Sequence, residues 1–303
     1  MNIIETPTDL RRILAPIRER DRIAFVPTMG CLHEGHLSLI RKARRLADIV
    51  VVSIYVNPMQ FGPNEDFDAY PRTFDADCKI CEQEGVDIIF HPETLYPTDG
   101  IKVSLKVDEL GDCLCGAARP GHFDGVATVV NILFNIVQPD IAIFGEKDWQ
   151  QLTILRRVAE DLQMPVEVIG SETLREDDGL AMSSRNRYLK GPDRALATTL
   201  NKALVAMQAR ARDGETDVRK LIAAGGNILG KAGITSEYLE VRDAYTLNPV
   251  TVLSQQYPAR AFIAARIGPA RLIDNAPIWI TGDKSSNLKS TEHSEVHDET
   301  DHA

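Results

Sequence analysis

Short apolar runs alternate with amphipathic stretches in the first half of the chain, from Ile23 to about Val168. The runs, such as "IAFVPT", "IVVVSIYV", "IAIFGEKD" and "VEVIG", contain many β-branched residues, and segments such as "HLSLIRKARRLA" and "WQQLTILRRVAEDL" lie between them. Unbroken apolar runs of this kind are typical of strands covered on both faces of a parallel sheet. The pattern predicts an α/β fold, a doubly wound (Rossmann-like) parallel sheet that binds ligands beyond the carboxyl ends of its strands.

The hydrophobic pattern changes after Ser171. Two stretches, "GPDRALATTLNKALVAMQARARDG" and "TDVRKLIAAGGNILGKAG", predict helices that stop at glycine, and "SEYLEVRD" and "ARAFIAARIG" predict strands. "RLIDNAPI" is the last apolar signal. We therefore expect a catalytic domain at residues 1–173, a smaller α+β lid domain at residues 174–283, and a disordered tail at residues 284–303.

Composition limits the class of partner. The chain has 303 residues, 44% hydrophobic and 26% charged, as in globular proteins. A net charge of -10 opposes a nucleic-acid surface, because phosphate backbones are bound through clustered basic residues. The longest apolar run, "IVVVSIYV", is too short to cross a bilayer, and no basic and apolar signal peptide opens the sequence. We expect a cytoplasmic protein with small-molecule partners, and neither a nucleic acid nor a membrane.

The five cysteines do not predict a disulfide framework. Cys78 and Cys81, together with Cys113 and Cys115, could imitate a zinc site. However, the first pair stands in a helical pattern, where its spacing describes one buried face, and the second pair lacks the usual two-residue gap. Free thiols are the prediction.

The stretch "VPTMGCLHEGHLSLI" carries two histidines where a strand passes into a helix. Backbone N–H groups and the helix dipole favour an anion there, plausibly phosphate. Gly35 lets a bulky ligand approach between His33 and His36, and an imidazole adds a donor that can become cationic near neutral pH. Helix capping with packing, or half of a metal site, are the alternatives; no cysteine or carboxylate stands nearby at ligand spacing to complete the latter.

Three further stretches add polar groups. "IYVNPMQFGPNEDFDAYPRT" supplies Asn57 and Gln60, neutral amides that can hold hydroxyl groups. In "IAIFGEKDWQQL", Lys147 and Gln151 are one helical turn apart and share a face. "LAMSSRNRYL" offers two hydroxyls and an arginine in a loop between the domains. Together these stretches predict cations and donors around one anion.

In this order and spacing, "PTMGCLHEGHLSLI", "VNPMQFGPNEDFDAYPRT", "GHFDGVATVV", "FGEKDWQQL" and "MSSRNRYL" resemble the pantoate–β-alanine ligase (pantothenate synthetase) family of the nucleotidyltransferase superfamily. The resemblance runs from about Pro27 to Leu189 and, more loosely, to about Ile280. The His-x-Gly-His element alone indicates only adenylyl transfer, whereas the combination is specific. Cys31 stands where the family usually has a small residue such as alanine, and Trp149 replaces the more usual tyrosine.

The resemblance implies a two-step reaction. Pantoate attacks the α-phosphate of ATP to give pantoyl adenylate and pyrophosphate, and β-alanine then displaces AMP to give pantothenate. It also implies Mg²⁺, brought by the ATP phosphates rather than held by protein ligands, and a homodimer.

The resemblance also assigns residues. His33, His36, Lys147 and Arg185 are the implied catalytic residues, with His36 as the proton donor. The implied ATP-binding residues are Met29, Gly30, His33, Gly35, His36, Gly145, Lys147, Asp148, Leu174, Met182, Ser183, Ser184 and Arg185. The implied binding residues for pantoate and β-alanine are Gln60, Gln151, Asn57 and Met29. Tyr70, Asp77 and Arg119 lie in matching segments, where a ligand contact and a structural hydrogen bond or salt bridge are equally open.

Three competing functions remain at this point. A mononucleotide adenylyltransferase would share the two histidines but not "NPMQFG" or "GEKDWQQL". A fragment of a class I aminoacyl-tRNA synthetase would carry a two-lysine loop and a basic surface, unlike "MSSRN" and the acidic charge of this chain. A catalytically idle nucleotide sensor would not need the lysine, both histidines and both glutamines.

Overall fold

The computed structural model describes residues 1–63, 65 and 67–280. Its first part is a parallel sheet of six strands in the order β1-β4-β3-β2-β5-β6. The strands are β1 (Asn2–Ile4), β2 (Ile23–Thr28), β3 (Ile49–Ile54), β4 (Ile88–Phe90), β5 (Ile141–Gly145) and β6 (Glu167–Ser171).

Helices cover both faces of this sheet, as the doubly wound prediction requires. They are α1 (Pro7–Ile17), α2 (Glu34–Leu46), α3 (Phe74–Gln83), α4 (Leu114–Ala118), α5 (His122–Val137) and α6 (Trp149–Asp161). Alternate residues of β2 enter different cores: Phe25 packs on the side of α1, α5 and α6, and Val26 packs on the side of α2 and α3. Because β2 is buried on both faces, its sequence is apolar without alternation.

The strand order reverses between β2 and β5. From β2 the chain moves outward through β3 to β4, and it then returns to place β5 on the other side of β2. A crevice at the carboxyl ends of the strands forms at such a switch point. The turns that follow β2 and β5 therefore meet, although they are far apart in sequence.

The C-terminal domain places helices against an antiparallel sheet in the order β7-β8-β9. Its elements are α7 (Pro192–Ala197), α8 (Thr199–Arg212), α9 (Val218–Lys231), β7 (Ser236–Asp243), β8 (Ala259–Ile267) and β9 (Ala270–Ile278). The prediction of a single helix before α9 is wrong, because the chain breaks at Thr198 into α7 and α8. The predicted tail at residues 284–303 lies outside the described residues.

The two faces of the small sheet serve different cores. Ile263 of β8 packs in the core that contains α8 and α9, whereas Phe262 packs in the core of the parallel sheet. Phe262 pairs with Asn275 of β9, so Asn275 lies on the side that faces the first domain. Within the described residues, none of the helices is both long and apolar enough to cross a membrane.

Candidate active site

A buried aspartate shapes the turn that follows β2. Gly30 and Cys31 both have positive φ, +77° and 54°, and the turn directs the N–H groups of Cys31 and Leu32 towards Asp77. The Asp77 carboxylate accepts them at 2.9 and 2.8 Å and also accepts the Thr73 hydroxyl. Asp77 is only 1% exposed, and its oxygens are occupied by these donors. Of the two roles left open by the sequence, Asp77 therefore has the structural one.

His33 is the N-cap of α2. Its Nδ1 accepts the N–H of Gly35 at 3.1 Å, so the proton of the neutral ring lies on Nε2. A Cβ atom on residue 35 would lie 2.8 Å from His33 Cε1, which is too close for a real side chain. Glycine is therefore needed here to make room for the His33 ring, whether or not a ligand is bound. The capping interpretation is therefore correct for His33, and it leaves Nε2–H as a donor for an anion.

His36 lies in the first turn of α2, with its ring centroid 4.1 Å from that of His33. Its Nδ1 is enclosed and has no hydrogen-bond partner among the described residues. Burial, followed by the neighbouring His33 and Lys147, lowers the pKa of His36 to about 3. Burial, followed by the charges of Lys147 and Arg187, lowers the pKa of His33 to about 4. The expectation of imidazoles that become cationic near neutral pH is wrong for this free protein, because water that would solvate the charge is displaced.

Lys147 stands in the turn that follows β5, a single 3-10 turn at Glu146–Asp148 that runs into α6. Its ammonium group lies 3.6 Å from the Asp148 carboxylate, and its side chain is 19% exposed. Two residues of the C-terminal domain hold this turn. Asn275 donates to the backbone carbonyls of Glu146 and Lys147, and Arg260 donates to the Glu146 carboxylate. The second turn thus depends on a different domain for its support.

Asn57 holds Gln60 in place. It is 1% exposed, and its Nδ2 donates to Gln60 Oε1 at 3.1 Å and to the Gly125 carbonyl at 3.2 Å. Its Oδ1 accepts the hydroxyl of Tyr96 and the N–H of Met59. Asn57 borders the cavity, but both of its amide atoms are engaged by protein, so the structure gives it a supporting position. Tyr96 has no sequence signal that connects it to this site.

The backbone of Gln60 is also fixed. Its carbonyl accepts Arg119 at 3.1 Å and His122 Nδ1 at 2.8 Å, while Arg119 forms an ion pair with Glu65. Gln60 Nε2 lies 2.9 Å from Met29 Sδ. Arg119 therefore makes a structural salt bridge while it also borders the cavity. The amide of Gln60 presents its NH₂ group, because its oxygen is already paired with Asn57.

The loop between the domains forms another wall. Ser183 caps the turn at Ser184–Tyr188 by accepting the N–H of Arg185 at 3.3 Å. Met182 N–H donates to the carbonyl of Leu174 at 3.0 Å. This short antiparallel contact folds the "MSSR" segment back over the cavity.

One cavity collects nearly all of the residues that the sequence singled out, and Gly30 and Asp77 lie outside its lining. Those that line it are Met29, His33, Gly35, His36, Asn57, Gln60, Gly145, Lys147, Asp148, Gln151, Leu174, Met182, Ser183, Ser184 and Arg185, together with Tyr70 and Arg119. The sequence interpretation missed an apolar wall from α5 and β5, formed by Val126, Val129, Val130, Leu133 and Phe144. The helical spacing of "VATVVNILF" was a usable signal for it. Glu172 and Thr173 also line the cavity and carry no such signal.

The cysteine pairs lie in separate places. Cys81, on α3, packs in the core between α2, α3 and the sheet, whereas Cys115 packs in the core on the opposite face of the sheet. In the part of the chain that the structure describes, no group of three or more His, Cys, Asp or Glu side chains could hold a metal ion. The absence of zinc stays a prediction.

The reversal of strand order, the two turns and the cavity between them are typical of a doubly wound α/β enzyme that binds its ligand beyond the carboxyl ends of the strands. A family model described as pantoate–β-alanine ligase matches residues 2–277. The chain belongs to the pantoate–β-alanine ligase family. Its reaction is the ATP-dependent condensation of pantoate with β-alanine to pantothenate.

Relatives and solved structures agree with this assignment. The chain is 50% identical over 280 residues to a pantothenate synthetase of Pseudomonas entomophila (strain L48), covering 91% of this chain and 96% of the relative. It is 54% identical over 257 residues to that of Magnetococcus marinus (84% and 88%). The crystal structure of pantothenate synthetase from Thermus thermophilus matches with a TM-score of 0.87 and 44% identity (92% and 100%). A pantoate–β-alanine ligase from Francisella tularensis, complexed with β-γ ATP and β-alanine, matches with a TM-score of 0.75 and 34% identity (91% and 97%).

Proposed function

We propose that the condensation runs through a pantoyl adenylate. A carboxylate oxygen of pantoate bonds to the α-phosphorus of ATP, and the bond to pyrophosphate breaks. The amine of β-alanine then attacks the acyl carbon, AMP leaves with the bonding electron pair, and the nitrogen loses a proton. The observation that carries this proposal is the convergence of His33, His36 and Lys147 from two neighbouring strand ends on one cavity.

The phosphates of ATP are proposed to lie between the two turns. Helix α2 presents its N-terminus there, and His33 offers a neutral Nε2–H donor. The enclosed, unpartnered Nδ1 of His36 supports a ligand role for this ring, because a buried polar atom without a partner is costly in a folded protein. Lys147 supplies the positive charge from the opposite turn, and Arg185 with Ser183 closes the third side. Mg²⁺ enters with the triphosphate as part of the substrate.

The proton donor assigned to His36 has to be a neutral imidazole in this structure. Its lowered pKa means that the free protein carries no imidazolium here at neutral pH. A neutral ring still donates one N–H, and a preorganised donor in a site shielded from water stabilises charge that develops on the phosphates. His36 is therefore proposed to act by hydrogen bonding rather than as a pre-charged acid.

Pantoate is proposed to lie between Gln60, Gln151 and the apolar wall. The amides can align its hydroxyl and carboxyl oxygens, and Met29 with the α5 side chains faces its dimethyl carbon. A bidentate arginine would stabilise the carboxylate that must act as nucleophile, whereas a neutral amide positions it more weakly. The Gln60 oxygen is paired with Asn57 and one N–H donates to Met29 Sδ, which leaves the second N–H as the donor for a substrate oxygen.

The adenosine part is proposed to lie along Gly145, Asp148, Leu174 and Met182. No Cβ contact restricts Gly145, so its place beside the cavity leaves open space for a ligand. We also propose a domain boundary at residues 173 and 174, a homodimer and a cytoplasmic location. Analytical ultracentrifugation of the full chain tests the dimer.

One experiment tests the reaction. AMP and pyrophosphate are measured from ATP and pantoate, with and without β-alanine. Pantoate-dependent pyrophosphate release in a single turnover without β-alanine, followed by AMP release once β-alanine is added, is the expected result. Pyrophosphate release that requires β-alanine from the first turnover would contradict a separate adenylation step. A nucleotide sensor would give neither product.

A further inference from the structure

Asn275 links the C-terminal domain to the backbone of the Lys147 turn. Its Nδ2 donates to the carbonyl of Glu146 at 2.9 Å and to the carbonyl of Lys147 at 2.8 Å. Because both partners only accept hydrogen bonds, the amide must turn its NH₂ group towards them. Asn275 is 5% exposed, and its Oδ1 is buried without a partner among the described residues. The side chain therefore serves the turn and leaves its own oxygen unpaired.

Arg260 supports the same turn from the adjacent strand β8. Its guanidinium lies 3.5 Å from the centroid of the Trp149 ring and donates to the Glu146 carboxylate at 3.1 Å. Trp149 in turn donates its indole N–H to the carbonyl of Ala244 at 2.7 Å. Arg260 is 6% exposed in its side chain, so water does little to screen these contacts. Both flanks of Lys147 are thus attached to the C-terminal domain.

Arg260 and Asn275 do not border the cavity that holds His33 and His36. Asn275 does line the adjoining cavity, which shares Lys147, Asp148 and Gln151 with the first one. The NH₂ group of Asn275 is engaged by the carbonyls of Glu146 and Lys147, so its route to the reaction is through the turn that it holds. Lys147 is the cationic residue of that turn. Asn275 bonds to the carbonyls of Glu146 and Lys147, and Arg260 contacts the Glu146 carboxylate and the Trp149 ring.

We propose that Asn275, with Arg260 beside it, is a positioning residue for adenylyl transfer that fixes the Lys147 turn relative to the triphosphate. This inference rests on the two-step reaction proposed above. A displacement of about 1 Å in a positioning group can lower a rate by about a hundredfold. The second step involves no triphosphate, so loss of the support should spare it.

The test is Asn275→Ala in the full-length protein, with both half-reactions measured. Pantoate-dependent pyrophosphate release should fall about tenfold to a hundredfold, whereas attack of β-alanine on supplied pantoyl adenylate should stay within about twofold. Gln208→Ala is the matched control, because Gln208 on α8 likewise donates a side-chain amide proton to a backbone carbonyl, that of Pro277 on β9, at 2.9 Å. Both half-reactions should be unchanged in this control.

A second measurement separates positioning from packing. If Asn275 acts through Lys147, Asn275→Ala should cause no further loss of adenylation in a Lys147→Ala background. Asn275→Asp keeps the shape but cannot donate to the carbonyls, so it repeats the test if the alanine variant is unstable. Arg260→Lys keeps the charge without the planar stacking, and it should cause a smaller loss in the same step.

The outcomes are distinct. Equal losses in both half-reactions, or unchanged adenylation in a folded Asn275→Ala protein, would overturn the positioning role. An additive loss in the Lys147→Ala background would also overturn it. The wild-type protein is measured first. If it releases no pyrophosphate with ATP and pantoate, the proposed two-step reaction is wrong, independently of the role of Asn275.

Discussion

The two turns that border the cavity each connect a strand to a helix, but they have different support. The His33 turn follows β2 and is completed inside its own domain, by Asp77 on α3 and by the His33 cap on α2. The Lys147 turn follows β5 and is completed by Asn275 and Arg260 of the C-terminal domain. The first turn is therefore held within its own domain, whereas the second depends on how the two domains pack.

Lys147→Ala should produce the largest effect and shows what the second turn contributes. Removal of a preorganised charged donor should lower adenylation about a thousandfold, because the developing phosphate charge loses its cation. The reaction of supplied pantoyl adenylate with β-alanine should change little. Rapid-quench measurement of the two half-reactions checks this. Equal losses in both would mean that Lys147 mainly maintains the pocket.

His36→Ala is the corresponding change in the first turn. Adenylation should fall about a hundredfold, since one neutral donor rather than a charge is removed. His33→Asn is a useful companion, because asparagine keeps the N-cap but loses the ring donor. Circular dichroism should show that both variants fold. Near-normal pyrophosphate release by folded His36→Ala would remove this ring from the mechanism.

Asp77→Ala should act on stability rather than directly on chemistry. The N–H groups of Cys31 and Leu32 would lose their buried carboxylate, at a cost of about 3 kcal/mol in the free energy of unfolding. Asp75→Ala is the control, because Asp75 stands exposed in the same first turn of α3. Urea unfolding of both variants checks the difference. Equal midpoints would contradict the support that the structure assigns to Asp77.

Gln60→Leu sharpens the substrate side of the cavity. A deoxy analogue of pantoate leaves a buried amide unpaired, so the wild-type protein should use it about tenfold to a hundredfold less efficiently at limiting concentration. Gln60→Leu should shrink that discrimination. The ratio of kcat/KM for the two acceptors, in each protein, is the measurement. If the variant slows both acceptors by one factor, Gln60 does not recognise the hydroxyl.

The smallest expected effect is that of pH on activity. His33 and His36 have pKa values of about 4 and about 3, so kcat/KM for adenylation should show no inflection from these rings between about pH 6 and 8. An imidazole that titrates near 6.5 in this range would contradict the neutral site.

The free energy of unfolding should depend on pH below the range in which activity is measured. Below about pH 6.5 the unfolded chain protonates these rings first, because their folded pKa values are lower, so stability falls as pH drops towards about 4. The slope is at most about 1.4 kcal/mol per pH unit for each imidazole, and less for His33, which solvent partly reaches. Urea unfolding at pH 7 and pH 5, with His36→Asn for comparison, measures it.

The sequence by itself determined the architecture and most of the candidate site. Hydrophobic periodicity predicted the strands and helices from β2 to β6 except α4, and it placed β7 at Ser236–Asp243, because core burial imposes a local pattern. It missed β1 and α1, which precede the alternating pattern at Ile23. Of the residues that the motifs singled out, all except Gly30 and Asp77 line one cavity. Motifs can identify cavity residues because each one specifies a local strand-to-helix turn, and such turns meet at the carboxyl edge of a parallel sheet.

Tertiary structure alone decided what those residues are attached to. Asn275 bonds to a carbonyl 128 residues away, and Tyr96 reaches Asn57 across 39 residues, and no local spacing encodes either choice of partner. The charge state of His33 and His36 was also undetermined, since a pKa depends on the water that packing removes. Local patterns specify backbone conformation, whereas hydrogen-bond partners and solvation arise only when distant segments are brought together.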